Sequence, residues 1–191
     1  MKNKKSIGVV HGRFQPLHFG HLNEYILKAK AKCDFLVIGL TNPDPTKTLP
    51  DEANLARSRP QNNPLTYYER LTIIQAALLD YGLGQDEFVI VPFPINFPQL
   101  LRFYTPKEAI HYLTVFDEWG ESKVKYLKRY GLKTSVLFRK PIDEKKISST
   151  MVRERLLSRK NWKELVPKPV HHFVDLYNLR QRLIKIRNQS I

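Results

Sequence analysis

Residues 6–21 have the sequence SIGVVHGRFQPLHFGH, and this stretch decides the fold. Its first part, residues 6–11, is rich in Ile and Val and predicts a short buried strand. A loop with Gly and Pro follows at 12–17, and apolar residues then recur at helical spacing through 18–32. A buried strand, a short loop and an amphipathic helix together indicate the start of an α/β protein.

The same alternation of strand and helix continues along the chain. Further apolar runs predict strands at 34–39, 87–93, 109–116 and 134–139. Helical patterns occupy 66–81, 98–104, 119–130, 148–157 and 168–187, and a Pro-rich loop covers 41–64. This order predicts a doubly wound parallel five-stranded sheet with helices on both faces. We expect a single domain, 1–191, with 168–191 as a peripheral C-terminal helix, and a ligand site at the carboxyl ends of the strands.

The composition excludes several classes of protein. Lys and Arg number 32 against 18 Asp and Glu, and the net charge of +14 favours anionic partners such as nucleotides, phosphorylated metabolites or nucleic acid. The one Cys excludes a disulfide framework and a Cys-rich zinc module. No apolar run reaches the roughly 18 residues of a membrane span, and the basic residues 1–5 do not begin a signal peptide. We therefore expect a cytoplasmic protein with no membrane partner.

Two histidines, His18 and His21, open the first predicted helix and lie on about the same face of its first turn. The free N–H groups and partial positive charge of a helix start suit a phosphate. Gly20 removes a side chain where a phosphate would approach the backbone. Two other interpretations stay open: a pair of surface histidines at a helix cap, and a zinc site built on His-x-x-His. The zinc site lacks a second ligand cluster nearby in sequence.

A second polar stretch, residues 147–153 (ISSTMVR), combines three hydroxyl residues with an arginine one turn into a predicted helix. A helix cap explains one of these hydroxyls. The others, with Lys145 and Lys146 just before them, favour a clamp for a polyphosphate, because a guanidinium fork binds two phosphate oxygens at once. The sequence contains neither a Walker-type phosphate loop nor a complete dinucleotide fingerprint.

The two stretches resemble the HxGH and ISSTxxR signatures of the nucleotidyltransferase superfamily. The similarity is greatest to the archaeal-type nicotinamide-nucleotide (NMN) adenylyltransferases. It extends to residues 63–70 (NPLTYYER), 94–97 (PINF) and 162–167 (WKELVP), and it spans roughly residues 6–175 in order.

This resemblance implies a Rossmann-like fold and an enzyme in which an acceptor phosphate attacks the α-phosphorus of a nucleoside triphosphate and pyrophosphate leaves. It implies that His18, His21 and Arg153 are catalytic, and that Mg²⁺ is bound to the substrate phosphates with no protein ligand. ATP and NMN are then the expected substrates and NAD the product, and a homo-oligomer is possible because these relatives are often multimeric. The residues implied in nucleotide and phosphate binding are Gly12, Arg13, Phe14, Gln15, Gly20, Ile147, Ser148, Ser149 and Thr150.

The chain departs from the archaeal-type pattern at two places. That family usually carries a Trp a few residues beyond the INF segment, where it stacks on nicotinamide, and residues 97–104 (FPQLLRFY) contain none. Its short Thr/Ser-Gly/Asn-Asn segment after the fourth strand is replaced by residues 114–120 (TVFDEWG). An open alternative for this second segment is a helix start with its Trp in the core. The candidate residues of an acceptor or base pocket are Arg70, Asn96, Phe97, Asp117, Glu118 and Trp119.

Three functions stay open at the level of sequence. The resemblance favours an NMN adenylyltransferase. The two departures favour a transferase of the same fold with another nucleotide or acceptor, such as a cytidylyltransferase for a phosphorylated or phosphonate metabolite. The positive charge by itself favours a nucleic-acid-binding protein, although no module with its own signature is present.

Overall fold

The computed structural model describes residues 5–48 and 58–189, and this part of the chain forms one parallel sheet. Its strands are β1 (Ile7–Gly12), β2 (Phe35–Leu40), β3 (Phe88–Pro92), β4 (Ile110–Val115) and β5 (Lys133–Arg139). The spatial order is β3-β2-β1-β4-β5, and every pairing is parallel. The predicted α/β sheet is therefore confirmed, with strand ends shifted by one or two residues. No helix in the described ranges is long and apolar enough to cross a membrane.

The order of the strands places a crevice between β1 and β4. The chain moves outward from β1 through β2 to β3, and then returns to the other side of β1 for β4 and β5. The pairing of β1 with β4 covers Gly8 and Val9, near the amino ends of the strands. Farther along, the Tyr25 hydroxyl lies between them, accepting from the His11 N–H at 3.0 Å and donating to the Tyr112 carbonyl at 2.8 Å. Such a switch point is where α/β sheets bind ligands.

Helices cover both faces of the sheet, as predicted. The first is α1 (Phe19–His21), which continues through a π-helical segment (Leu22–Ile26) into α2 (Leu27–Lys30). The others are α3 (Tyr67–Asp80), α4 (Glu118–Arg129), α5 (Ser149–Leu157), α6 (Lys168–Leu176) and α7 (Leu179–Asn188). The larger core cluster holds side chains of the first helical segment, α3 and α5 to α7. The smaller core cluster lies on the other face with Val124 and Leu127 of α4.

The C-terminal region differs from the single peripheral helix expected at 168–187. Asn178 has a left-handed backbone (φ 48°), and it separates α6 from α7. Val170, Val174, Leu179 and Leu183 are all fully buried in the larger core cluster. The two helices therefore complete the core. A change of chain direction at one residue lets the apolar faces of two short helices pack on α3 and α5, which one straight helix could not do.

Short 3₁₀ helices connect the main elements. One of them, Pro98–Phe103, is the short helix that the sequence predicts after β3. The predicted Pro-rich loop contains two more, Pro45–Lys47 and Pro60–Asn62. Residues 49–57 of that loop lie outside the described residues.

Candidate active site

His18 and His21 form a stacked pair at the start of α1. His18 is the N-cap of this helix, and its Nδ1 accepts a hydrogen bond from the His21 N–H at 3.3 Å. Because Nδ1 accepts, the proton of a neutral His18 ring is on Nε2. The two rings are 3.7 Å apart between centroids, with an angle of 23° between their planes. The cap fixes the tautomer of His18, and the stacking holds the two rings together.

Both histidines are neutral at pH 7. Burial, and then the charge of Lys145, lower the pKa of His18 to about 3. Burial lowers the pKa of His21 well below its ordinary value, and His18, Lys145 and Arg13 act in the same direction. The Nδ1 of His21 is buried and has no hydrogen-bond partner among the described residues. A buried polar atom of this kind is costly, and a phosphate oxygen that accepted from this ring would lower the cost.

Gly20 brings the two signature stretches into contact. A Cβ at this position would lie 3.1 Å from the His18 ring and 3.4 Å from the Ile147 carbonyl oxygen. Close to Gly20 and Ile147, the Ser149 hydroxyl donates to the Pro16 carbonyl at 3.0 Å. The start of α5 is thereby held against the loop after β1, so residues more than 120 positions apart in sequence share one site.

The hydroxyls at the start of α5 have local roles. Ser148 is the N-cap, and its hydroxyl accepts from the Met151 N–H at 3.2 Å, which confirms the helix-cap interpretation for this residue. The Thr150 hydroxyl accepts from Arg153 at 3.2 Å. Arg153 also donates to the Gln15 carbonyl at 2.7 Å and to the Asn62 side-chain oxygen. Arg153 thus joins the loop after β1 to α5.

Three arginines make the site strongly positive. Arg70 and Arg153 are 1% and 5% exposed, and no carboxylate lies within 4.0 Å of either guanidinium in the described part of the chain. Burial lowers the pKa of each to about 10, and the nearby Arg13 acts in the same direction. Both are still protonated at pH 7. Buried positive charges with no acidic partner favour the binding of an anion.

Arg70 is not an open pocket residue, which corrects the expectation from the sequence. Its guanidinium donates to the carbonyls of Arg13, Thr41 and Asn42 at 2.7–3.0 Å, and its Nε donates to Thr66. These contacts join the loops after β1 and β2 to the start of α3. All three of its nitrogen atoms donate to backbone carbonyls, so Arg70 holds together the loops that surround the site.

Gln15 and Phe14 also support the site through buried side chains. The Gln15 amide donates to the Leu65 carbonyl at 2.9 Å and accepts from the Leu65 N–H at 2.8 Å. Phe14 is 1% exposed and meets the His21 ring edge-on at 4.9 Å. A Cβ at Gly12 would lie 3.0 Å from the Phe14 ring, so this glycine makes room for it. The Gln15 side chain positions the loop after β1, and the Phe14 side chain positions His21. Contacts of these two residues with a phosphate would therefore come from their backbone groups.

Asn62 is a site residue that sequence reasoning missed. Its side-chain oxygen accepts from Arg153, and its backbone carbonyl accepts from Arg13 at 3.4 Å. It therefore orients two of the three arginines. Asn62 lies in a Pro-rich segment with no periodicity, where one polar residue gives no local signal.

The segment after β4 starts a helix and borders a cavity. Asp117 is the N-cap of α4, and its carboxylate accepts from the Gly120 N–H at 2.8 Å, as the helix-start alternative predicts. Trp119 is half-buried, with Lys123 Nζ 4.7 Å from its ring centroid, and it belongs to neither core cluster of the described residues. A stacking role for Trp119 stays a prediction.

This cavity has a volume of about 390 Å³ and lies at the carboxyl ends of β4 and β5. Its charged lining consists of Asp117, Glu118 and Glu121 on the α4 side, and of Arg139 and Lys140 on the β5 side. Arg139 Nε donates to Glu121 at 2.6 Å. Trp119 is not part of the lining.

Asn96 and Phe97 lie on the opposite side of β1. They follow β3, which is separated from β1 by β2, whereas the acidic segment follows β4. Both residues are half-buried, and the exposed Phe103 ends the 3₁₀ helix that comes next. The six predicted pocket residues therefore do not form one pocket. They divide into a β3 side, a β4 side and the buried Arg70.

Comparisons with known proteins agree with this geometry. The cytidylyltransferase-like family model matches residues 9–155. The chain is 40% identical over 176 residues to a phosphonoformate cytidylyltransferase of Streptomyces viridochromogenes, covering 92% of this chain and 94% of the relative. It is 31% identical over 186 residues to a nicotinamide-nucleotide adenylyltransferase of Saccharolobus solfataricus, covering 95% of this chain and 96% of the relative.

Solved structures share the fold at lower sequence identity. A bifunctional NMN adenylyltransferase/ADP ribose pyrophosphatase from Francisella tularensis superposes with a TM-score of 0.69 at 16% identity, over 97% of this chain and 54% of that chain. The Francisella tularensis protein is thus about twice as long as the part of it that matches this chain. At this identity the likeness shows the architecture, including the parallel sheet with its flanking helices.

Proposed function

This chain belongs to the cytidylyltransferase-like family of nucleotidyltransferases, and we propose that it transfers a cytidylyl group from CTP to a small acceptor that carries a phosphonate or phosphate. The observation that carries the choice of CTP is the 40% identity to a phosphonoformate cytidylyltransferase over nearly the whole length of both chains. The absence of a Trp in residues 97–104 also supports an acceptor without a nicotinamide ring.

In the proposed reaction, an acceptor oxygen forms a bond to the α-phosphorus of the nucleotide. The bond from that phosphorus to the oxygen of the β-phosphate breaks, and pyrophosphate leaves with the electron pair. No protein nucleophile is needed, so the protein contributes orientation and charge stabilisation. The neutral rings of His18 and His21 supply N–H donors where negative charge increases on the phosphate oxygens.

The triphosphate would be held by the arginine cluster and the start of α5. Arg13 and Arg153 are joined through Asn62, and Arg153 is fixed by the Gln15 carbonyl. These contacts orient the guanidinium groups before any ligand binds, which lowers the entropic cost of binding.

Mg²⁺ would accompany the nucleotide. Within the described ranges, no group of three or more His, Cys, Asp or Glu side chains is placed to hold a metal ion. The basic groups of the site suit phosphate oxygens and do not suit a cation. Carried in on the substrate, Mg²⁺ would neutralise part of the phosphate charge.

The two sides of the crevice suggest places for the base and the acceptor. We assign the nucleotide base to the cavity at β4 and β5, where Glu118 and Glu121 can accept from the cytosine amino group and Arg139 can donate to the carbonyl oxygen of the base. We assign the acceptor to the β3 side, near Asn96 and Phe97.

NMN adenylyl transfer is the second candidate. The 31% identity to an archaeal nicotinamide-nucleotide adenylyltransferase over 95% of the chain supports it, together with the PINF segment at 94–97. With ATP and NMN as substrates, the same residues would act on the phosphates, and the product would be NAD.

A nucleotide-by-acceptor screen tests the proposal. Pyrophosphate release is measured with CTP, ATP, GTP or UTP, each combined with phosphonoformate or NMN. Turnover restricted to CTP and phosphonoformate is the expected result, and the His21→Ala protein is the inactive control. Turnover with ATP and NMN would replace the proposal by the second candidate. Absence of turnover in all combinations would contradict both assignments of substrate.

A further inference from the structure

A second cavity lies at the carboxyl end of α5, away from the crevice. Its volume is about 430 Å³. The floor is apolar and includes Leu156, Trp162 and Val174, which are all buried. The segment after α5 forms one wall, and the junction of α6 and α7 forms the other. The reaction proposed above uses none of these residues.

The rim of this cavity is strongly basic. Arg159, Lys160 and Lys163 line it, and none of them forms an ion pair with a carboxylate of the described residues. Arg180 is a fourth cation in the lining, and Asp175 is the one acidic residue there. Four positive charges around one concave surface repel one another, and a bound anion relieves this repulsion.

The backbone and Arg180 hold the cavity in shape. Arg180 donates to the carbonyls of Leu156 and Leu157 at 3.2 and 3.3 Å, and so neutralises the partial negative charge at the end of α5. Arg159 and Asn178 are both left-handed, with φ of 56° and 48°. These two residues turn the chain after α5 and after α6, which brings the two walls together over the apolar floor.

The cavity is distinct from the crevice because α5 separates them. The helix spans nine residues, or about 14 Å, and the phosphate clamp of the crevice lies at its other end. Helix α7 also contacts the start of α3. Arg182, two residues after Arg180, donates to the Pro64 carbonyl at 2.9 Å and pairs with Glu69.

We propose that this basic cavity is a second anion site, which binds a small phosphorylated molecule. Three cations at the rim match the several oxygens of one or two phosphate groups. The volume and the apolar floor, which includes Trp162, also leave space for the organic part of the phosphorylated molecule. The proposal does not depend on which nucleotide the crevice uses.

Tryptophan fluorescence provides a local test, because the chain has two tryptophans. In a Trp119→Phe protein, Trp162 is the one remaining tryptophan and reports on the cavity. We expect saturable changes in its emission when inorganic pyrophosphate is added, and separately when CMP is added. A response to both supports a site for phosphorylated molecules, and a response to pyrophosphate alone limits it to free phosphates.

Two variants locate the response. Lys160→Glu combined with Lys163→Glu, in the same background, should weaken the response at least tenfold. Lys168→Glu is the matched control, because this exposed lysine lies outside the cavity and should leave the response unchanged. Arg153→Ala should also leave the response unchanged if the signal comes from the cavity.

The proposal is overturned if no saturable response occurs, if the double variant keeps the response, or if Arg153→Ala removes it. Circular dichroism confirms that each variant is folded. Failure of the substrate screen would not alter this outcome.

Discussion

At the scale of the residue, the proposed chemistry depends on imidazoles that the fold keeps neutral. The Nδ1 of His18 accepts a hydrogen bond from the backbone N–H of His21. The Nδ1 of His21 is buried and has no partner among the described residues. Neutral imidazole still has one N–H group, which can donate to a phosphate oxygen as its charge increases. The surface-histidine interpretation does not hold for His18, which is 2% exposed.

We predict that His21→Ala lowers turnover by about 10²- to 10³-fold, because a donor that acts mainly in the transition state contributes roughly 3–4 kcal/mol. Steady-state release of pyrophosphate measures this. His172→Ala, which changes an exposed histidine on α6, is the control and should keep full activity. Wild-type rates in a folded His21→Ala protein would remove this residue from catalysis.

We predict that Arg153→Ala weakens CTP binding more than CMP binding, because the proposed partners of Arg153 are the leaving phosphates. Arg153→Lys should rescue only part of the affinity, because Lys lacks the two-pronged fork. Calorimetry with both nucleotides gives the two dissociation constants. Arg155→Ala changes an arginine of the same helix that pairs with Glu164, and it serves as the control. Equal loss for CTP and CMP would assign Arg153 a purely structural role.

At the scale of the element, the first turn of α3 supports the loops of the candidate site. Thr66 and Glu69 form a capping box, with the Thr66 hydroxyl accepting from the Glu69 N–H at 3.2 Å and the Glu69 carboxylate accepting from the Thr66 N–H at 2.8 Å. Glu69 also pairs with Arg182 of α7. The Thr-x-x-Glu spacing is visible in the sequence, but its link to α7 is not.

We predict that Thr66→Ala lowers the free energy of unfolding by about 1 kcal/mol, because one cap hydrogen bond is lost. Thr66→Ser keeps the hydroxyl and should cost much less. Urea titrations of the three proteins provide the values. If Thr66→Ser lost as much stability as Thr66→Ala, the methyl group of Thr66 would matter and the cap would not.

At the scale of the whole molecule, buried neutral histidines connect stability to pH. Burial lowers the pKa of His111 to about 4, and this residue is 0% exposed within β4. The pKa of His18 falls to about 3. In the unfolded chain both groups titrate near pH ~6.5. The unfolded state therefore binds more protons than the folded state at pH values between these limits.

We predict that the free energy of unfolding is highest above about pH 6.5 and falls as the pH is lowered through 6 and 5. His111→Leu removes one of the groups and should make this decline less steep. Urea titrations at pH 7, 6 and 5 compare the slopes. An identical slope in wild type and His111→Leu would show that His111 titrates alike in both states.

The positive charge of the molecule has an explanation within the enzyme. A net charge of +14 attracts a polyanionic nucleotide from solution, and part of the positive charge lies in the three arginines of the candidate site and in the basic cavity at the carboxyl end of α5.

Local pattern alone determined the strands, most helices and the two signature stretches. The apolar runs at 34–39 and 109–116 predict β2 and β4, because burial in a parallel sheet demands such runs. His18 and His21 are visible as a pair because three residues bring two side chains to one helix face. These properties need only neighbours along the chain.

The tertiary structure decided which polar side chains face a ligand. Arg70 and Gln15 lie in signature segments, yet the fold directs both at backbone groups of other loops. Asn62 lies outside any signature and still orients Arg13 and Arg153. Hydrogen bonds between segments some 50 to 140 residues apart depend on how the loops pack, and no sequence period records such packing.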